Sequence, residues 1–155
     1  MGGKRSRSEL RRLSRVAALQ LLFYRDGEDA PGDTWEEIRS WFWEEFWLVP
    51  ERSSVQEKQR GDVVAYASRL VNGVDSFQEE IEAAIKGASE NWGLSRMGRV
   101  DRNVLRLSVY ELLKEEELPP RVAINEGIEL AKLFGNERSG GFVNGLLDRV
   151  AKGDG

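Results

Sequence analysis

The chain has 155 residues, 23 Lys+Arg against 27 Asp+Glu, and neither histidine nor cysteine. That length suits one domain, or two very small subdomains sharing a core. The missing residue types exclude disulfides, Ser-His and Cys-His nucleophile pairs and every thiolate- or imidazole-ligated metal site, so an enzyme would be left with carboxylate, lysine, tyrosine or Ser-Lys chemistry.

The net charge of −4 on its own speaks against a nucleic-acid binder, because such domains usually carry a basic excess. The mean hides two populations. Within residues 1–15, Lys4, Arg5, Arg7, Arg11, Arg12 and Arg15 stand against Glu9 alone, a balance of +5, and the remainder carries −9. No apolar run follows the basic start closely, so it does not read as a secretory signal. The longest apolar stretch, Val16 to Tyr24, is interrupted by Gln20 and is too short to span a bilayer. A soluble cytoplasmic protein without membrane association is expected.

From about Glu9 to Tyr24, Leu10, Leu13, Ala17, Leu21 and Tyr24 recur at three- and four-residue steps, which predicts a helix. Arg11, Arg12 and Arg15 fall off that stripe and are expected to face solvent or a partner. Asp26-Gly27 and Pro31-Gly32 mark a loop. A second helix is read from Asp33, with Glu36 completing a capping box, and Pro50 ends it. Its Trp35, Ile38, Phe42 and Phe46 share one face, with Trp41, Trp43 and Trp47 beside them. That is too many aromatics for one buried stripe. Core packing takes most of them, and the rest form an exposed patch suited to a protein partner or a self-contact.

A third helix opens near Ser54-x-x-Glu57 and runs through Val74. Ser76-x-x-Glu79 signals a fourth, through Ala88. After a loop at Asn91-Trp92-Gly93, a fifth covers Val100 to about Leu112, and Pro119-Pro120 break it. A sixth holds Val122 to Phe134, with Gly135 at the place of a left-handed C-cap. A Ser139-Gly140-Gly141 turn leads into the last, Phe142 to Val150. Around seven helices, short loops and no period-two strand predict an all-α bundle.

Phosphate-binding loops, the nucleophile elbow and the EF-hand are all absent from the sequence. The carboxylate runs Glu44-Glu45, Glu79-Glu80 and Glu115 to Glu117 read as solvated helix faces, so no catalysis is expected. The arm says more. A short cationic segment running into a helix can lay guanidinium groups along a phosphate backbone, since the planar fork binds phosphate oxygens in pairs. It can equally be an ordinary solvated helix end. Asn125 and Glu129, four apart, and Asn144 read either as buried polar ties or as binding contacts. Phe142, beside two glycines, is either core or a stacking platform for a base.

Three blocks carry a resemblance. Arg11-Arg12-Leu13-Ser14-Arg15-x-x-Ala18-x-Gln20-x-Leu22-Phe23 resembles the N-terminal arginine motif of the NusB family of bacterial transcription antitermination factors. Val100-Asp101-Arg102-x-Val104-Leu105-Arg106-Leu107-x-x-Tyr110-Glu111-Leu112 resembles its central helix. Pro120-x-Val122-Ala123-Ile124-Asn125-Glu126-x-Ile128-Glu129-Leu130-Ala131-Lys132-x-Phe134-Gly135 through Ser139-x-x-Phe142-Val143-Asn144-Gly145-x-Leu147-Asp148 is similar to its C-terminal block. Order and spacing agree along the whole chain.

The resemblance implies two three-helix subdomains packed as one unit. The expected division is a flexible basic arm over 1–8 and a helical domain over 9–152, split near 75/76. It implies binding of single-stranded boxA RNA together with the small-subunit ribosomal protein NusE, within the antitermination complex of RNA polymerase, in support of ribosomal RNA transcription. It implies no enzymatic activity and no cofactor. By the same resemblance, Arg11, Arg12 and Arg15 contact RNA, Lys4, Arg5 and Arg7 add electrostatic affinity, and Phe23 stands where a tyrosine is common. Leu13 replaces a frequent basic residue. Ser139, Gly141 and Phe142 fall near the RNA path. Asp101, with Tyr110 and Glu111, falls on the side of the ribosomal-protein partner, where an acidic patch suits a basic protein. The alternatives are the RNA-binding module of a ribosomal RNA methyltransferase family, disfavoured because no cofactor-binding domain follows here, and a homodimer that hides its RNA surface.

Overall fold

Ser6 starts the first helix. Its hydroxyl accepts the Glu9 N–H at 3.2 Å and donates to the Glu9 carboxylate at 3.1 Å, an N-cap that satisfies one orphan donor of the first turn. The helix therefore begins at Arg7, two residues before the start expected at about Glu9. The structure, a computed structural model, describes residues 4–27, 35–90 and 92–153. Among them are α1 (Arg7–Arg25), α2 (Trp35–Phe46), α3 (Pro50–Ser53), α4 (Glu57–Ser76), α5 (Gln78–Ala88), a 3-10 turn (Leu94–Arg96), α6 (Arg99–Lys114), α7 (Pro120–Phe134) and α8 (Ser139–Ala151), and no strand. The all-α expectation holds. The helix beyond the seven read from the sequence is α3, a single turn with Pro50 at its start, where a missing N–H costs nothing. The Asp33 cap expected for α2 lies outside the described residues. No helix among the described residues is long and apolar enough to cross a membrane.

The chain divides into two compact units, one ending at Arg69 and the other beginning at Leu70. In the first, α1 is buried over a broad face: Leu10 and every residue from Ser14 to Leu19, then Leu21 and Leu22. Ile38, Phe42 and Phe46 of α2 and Val55, Val63, Tyr66 and Ala67 complete that core. The Ser14 hydroxyl, buried among them, lies 2.8 Å from the Val63 carbonyl and 3.1 Å from that of Leu10. Ser54, expected to cap α4, accepts instead from the Arg5 guanidinium at 3.0 Å.

In the second unit α6 is the hub, with α5, α7 and α8 packed against it. Val104, Leu105, Leu107 and Val109 are fully buried on it. The α6–α7 approach is close because Gly127 has no side chain. A Cβ there would meet Leu147 Cδ1 at 3.0 Å and press harder still on the Ser108 hydroxyl. Two expectations fail at the α7–α8 connection. Gly135 is extended (φ −93°, ψ −162°), not left-handed. Glycine is needed there for room, since a Cβ would lie 2.7 Å from the Ala131 carbonyl and against Ser139. Ser139-Gly140-Gly141 is the first turn of α8 rather than a loop. The loop is Asn136 to Arg138, closed by Asn136 Oδ1 accepting the Arg138 N–H at 2.8 Å and the Asn136 N–H donating to Ser139 Oγ at 3.0 Å.

Candidate nucleic-acid interface

The basic segment is held, not loose, from Arg5 onward. The Arg5 N–H donates to Gln59 Oε1 and its carbonyl accepts from Gln59 Nε2, each at 3.0 Å. Gln59 is itself buried. The Arg5 guanidinium donates to the Ser54 hydroxyl and, at 3.3 Å, to the Glu51 carbonyl. Arg5 thus spends its fork on its own protein. Of the arm expected over 1–8, residues 1–3 lie outside the described residues. Lys4 and Arg7 are exposed.

The three motif arginines separate into different environments. Arg12 is exposed. Arg11 is half-buried, its guanidinium 3.7 Å from the centroid of the Tyr66 ring. Arg15, expected to face solvent or a partner, is only 3% exposed and lies 5.8 Å from the same ring. The apolar spacing implies a narrow buried stripe, whereas α1 is covered over most of its circumference at Arg15. Tyr66 fits the apolar pattern of its own helix, and no local pattern links it to arginines 55 and 51 positions earlier. Phe23 is half-buried, edge-on to Tyr24 at 6.4 Å.

In the second unit, Ser139 is buried and spends its hydroxyl on the Asn136 loop. Gly141 is exposed, with open space where a Cβ would stand. In the first turn of α8 the Ser139 N–H donates to the Asn136 carbonyl and the Phe142 N–H to the Arg138 carbonyl, each at 3.1 Å. Phe142 is half-buried, one turn after exposed Arg138. Asn125, Glu129 and Asn144 are all exposed, so they are not buried ties.

Asp101 sits half-buried in the first turn of α6. One of its carboxylate oxygens is shielded and meets no donor among the described residues. Tyr110 and Glu111 lie more than two turns further on and are buried. The Tyr110 hydroxyl donates to Glu115 Oε2 at 2.7 Å. The three do not form one exposed acidic patch. No group of three or more His, Cys, Asp or Glu side chains among the described residues is placed to hold a metal ion.

Most of the aromatic stretch in α2 is absorbed by the fold. Ile38, Phe42 and Phe46 are buried, and Trp43 and Trp47 stack on each other at 5.9 Å. Arginines seal the edge: Arg60 over Trp47 at 4.9 Å and Arg52 over Phe46 at 4.1 Å. Burial lowers the Arg52 guanidinium below its ordinary pKa, with Glu51 acting in the opposite direction. Trp41 at 38% and Leu48 at 70% remain exposed.

Comparison with known proteins gives this geometry a family. Residues 12–152 match the NusB family model. A transcription antitermination protein NusB of Myxococcus xanthus is 47% identical over 141 residues, covering 91% of this chain and 94% of that protein. The corresponding protein of Geobacter sulfurreducens is 43% identical over 144 residues, covering 91% and 93%. Among solved structures, NusB of T. maritima is similar with a TM-score of 0.67 at 37% identity, covering 97% of this chain and 93% of that one. A structure of antitermination factors NusB and NusE in complex with double-stranded RNA is similar with a TM-score of 0.73 at 30% identity, covering 94% and 98%. With a family model matched over nearly its whole length, the chain belongs to the NusB family.

Proposed function

We propose that the chain binds boxA-type single-stranded RNA jointly with the ribosomal protein NusE, and that this complex serves transcription antitermination, in ribosomal RNA operons above all, as part of the RNA polymerase assembly. The observation that carries the reading is the Arg11–Tyr66 pair, whose arginine belongs to a +5 segment in a protein of net −4. A guanidinium held over a ring gives up less side-chain freedom when it meets a phosphate. Arg7, Arg11 and Arg12 are the phosphate contacts, with Lys4 adding long-range attraction. Arg5 and Arg15 support the segment from within. In the second unit, Gly141 leaves room for the RNA at the start of α8, Phe142 offers a ring to a base, and buried Ser139 shapes the turn before them. Asp101 faces NusE, and Tyr110 and Glu111 act through the packing of α6. The chemistry is binding, not catalysis.

The test is a titration of labelled boxA-type RNA with the chain alone and with NusE added. Binding should be weak for the chain alone and at least tenfold tighter with NusE. Equal affinity in both arms would refute joint recognition.

A further inference from the structure

The loop between α5 and the 3-10 turn carries Trp92, which is 42% exposed. Its ring stands edge-on to Phe142, with centroids 6.1 Å apart and planes at 86°. The Trp92 N–H donates to the Ser89 carbonyl at 3.1 Å, and the Ser89 hydroxyl donates back to the Trp92 carbonyl. Between them Glu90 takes the left-handed conformation (φ 57°) that commonly ends a helix just past its C-cap, here Ser89 of α5. A tryptophan is usually mostly covered, because its apolar area is large. Here it stands beside a second ring. An edge-to-face pair uses one ring face and leaves others open at right angles. Exposed Arg138, whose carbonyl accepts the Phe142 N–H at 3.1 Å, adds a cation one turn away. Glu90 and Glu137 flank the pair in sequence and oppose a phosphate there. The contact they leave favourable is with the uncharged face of a base.

We propose that Trp92 and Phe142 together form a two-ring platform on which unpaired bases of the bound RNA stack, with Trp92 supplying a contact outside the three family-like sequence blocks. This rests on the RNA-binding reading of the chain. Stacking on an aromatic side chain tolerates any base, so the platform adds affinity without sequence choice.

The experiment measures binding of a fluorescein-labelled boxA-type RNA to the full chain with NusE present, for the unaltered protein, Trp92→Ala, Trp92→Leu, Trp92→Phe and Arg11→Ala. Stacking predicts affinity on the order of tenfold weaker for Trp92→Ala and Trp92→Leu, most of it restored in Trp92→Phe, with the salt dependence unchanged. If Trp92→Ala fails to fold, the Leu and Phe variants carry the comparison, since both keep an apolar side chain and only one keeps a ring. If Trp92→Leu binds as well as Trp92→Phe, the ring is packing and the platform is wrong. If all Trp92 variants bind normally while Arg11→Ala weakens, the platform is wrong and the RNA-binding reading stands. If the unaltered protein does not bind, both fall.

Discussion

The Arg11 guanidinium lies 3.7 Å from the centre of the Tyr66 ring, and Arg15 reaches the same ring from 5.8 Å. One tyrosine of α4 therefore orders two arginines of α1. The ring contributes through its face, so the hydroxyl is not the part that matters for Arg11. Tyr66→Phe should keep RNA affinity near its normal value. Tyr66→Leu, which keeps the site apolar, should weaken it about three- to tenfold, the scale of a partly desolvated cation–π contact. Fluorescence anisotropy with labelled RNA reads both. Equal binding by the two variants would show that Arg11 needs no support.

Arg15 is buried, so its removal should be felt by the fold. Arg15→Ala should lower stability by about 1–3 kcal/mol, the cost of stranding the groups that faced a buried cation. The salt dependence of RNA binding should stay as it was. Urea denaturation and a salt series separate the two effects. A stable variant with a reduced salt slope would place Arg15 on the RNA instead.

The α6–α7 contact depends on the missing side chain at Gly127. Gly127→Ala should cost roughly 1–3 kcal/mol through overpacking. Adding Ser108→Ala removes the nearest obstructing atom and should recover part of the loss, leaving the strain against Leu147. A double-mutant cycle by thermal denaturation checks this. Strict additivity would mean the two helices simply move apart.

Asp101 poses a trade between stability and binding. An acidic residue in a first helical turn contributes about 0.3–1 kcal/mol. A shielded acceptor without a donor costs about 1–3 kcal/mol. The shielding cost outweighs the gain at the helix start, so Asp101→Ala should leave the free chain at least as stable. It should also weaken NusE binding on the order of tenfold by removing a charge aimed at a basic partner. Calorimetry with NusE and a melting curve test the pair of outcomes together. Unchanged NusE affinity would remove Asp101 from that surface.

The helices are legible in the sequence because apolar spacing at three and four residues is a local signal, and α6 and α7 fall where that spacing puts them, while α8 starts a turn earlier, at Ser139. Contact between distant positions is hidden. Nothing near Arg11 points to Tyr66, and nothing near Phe142 points to Trp92. Arg15 defeats the pattern because a stripe says which face is buried first, not how far burial extends around the helix. Gly135 defeats it because glycine serves two purposes, a left-handed backbone or an absent side chain, and only the surroundings decide. The arginine arm is visible as charge, but its clamp by Gln59 depends on α4 lying alongside.

If Arg7, Arg11 and Arg12 carry the contact with the RNA backbone, their loss must show in the response to salt. The quantity to measure is the slope of log affinity against log salt, for the unaltered chain and for the triple variant Arg7→Ala, Arg11→Ala, Arg12→Ala. Losing three phosphate contacts should reduce the slope by about two units on the single-strand scale of roughly 0.7 per phosphate. An unchanged slope would mean that these arginines do not touch the backbone and that the RNA lies on another surface.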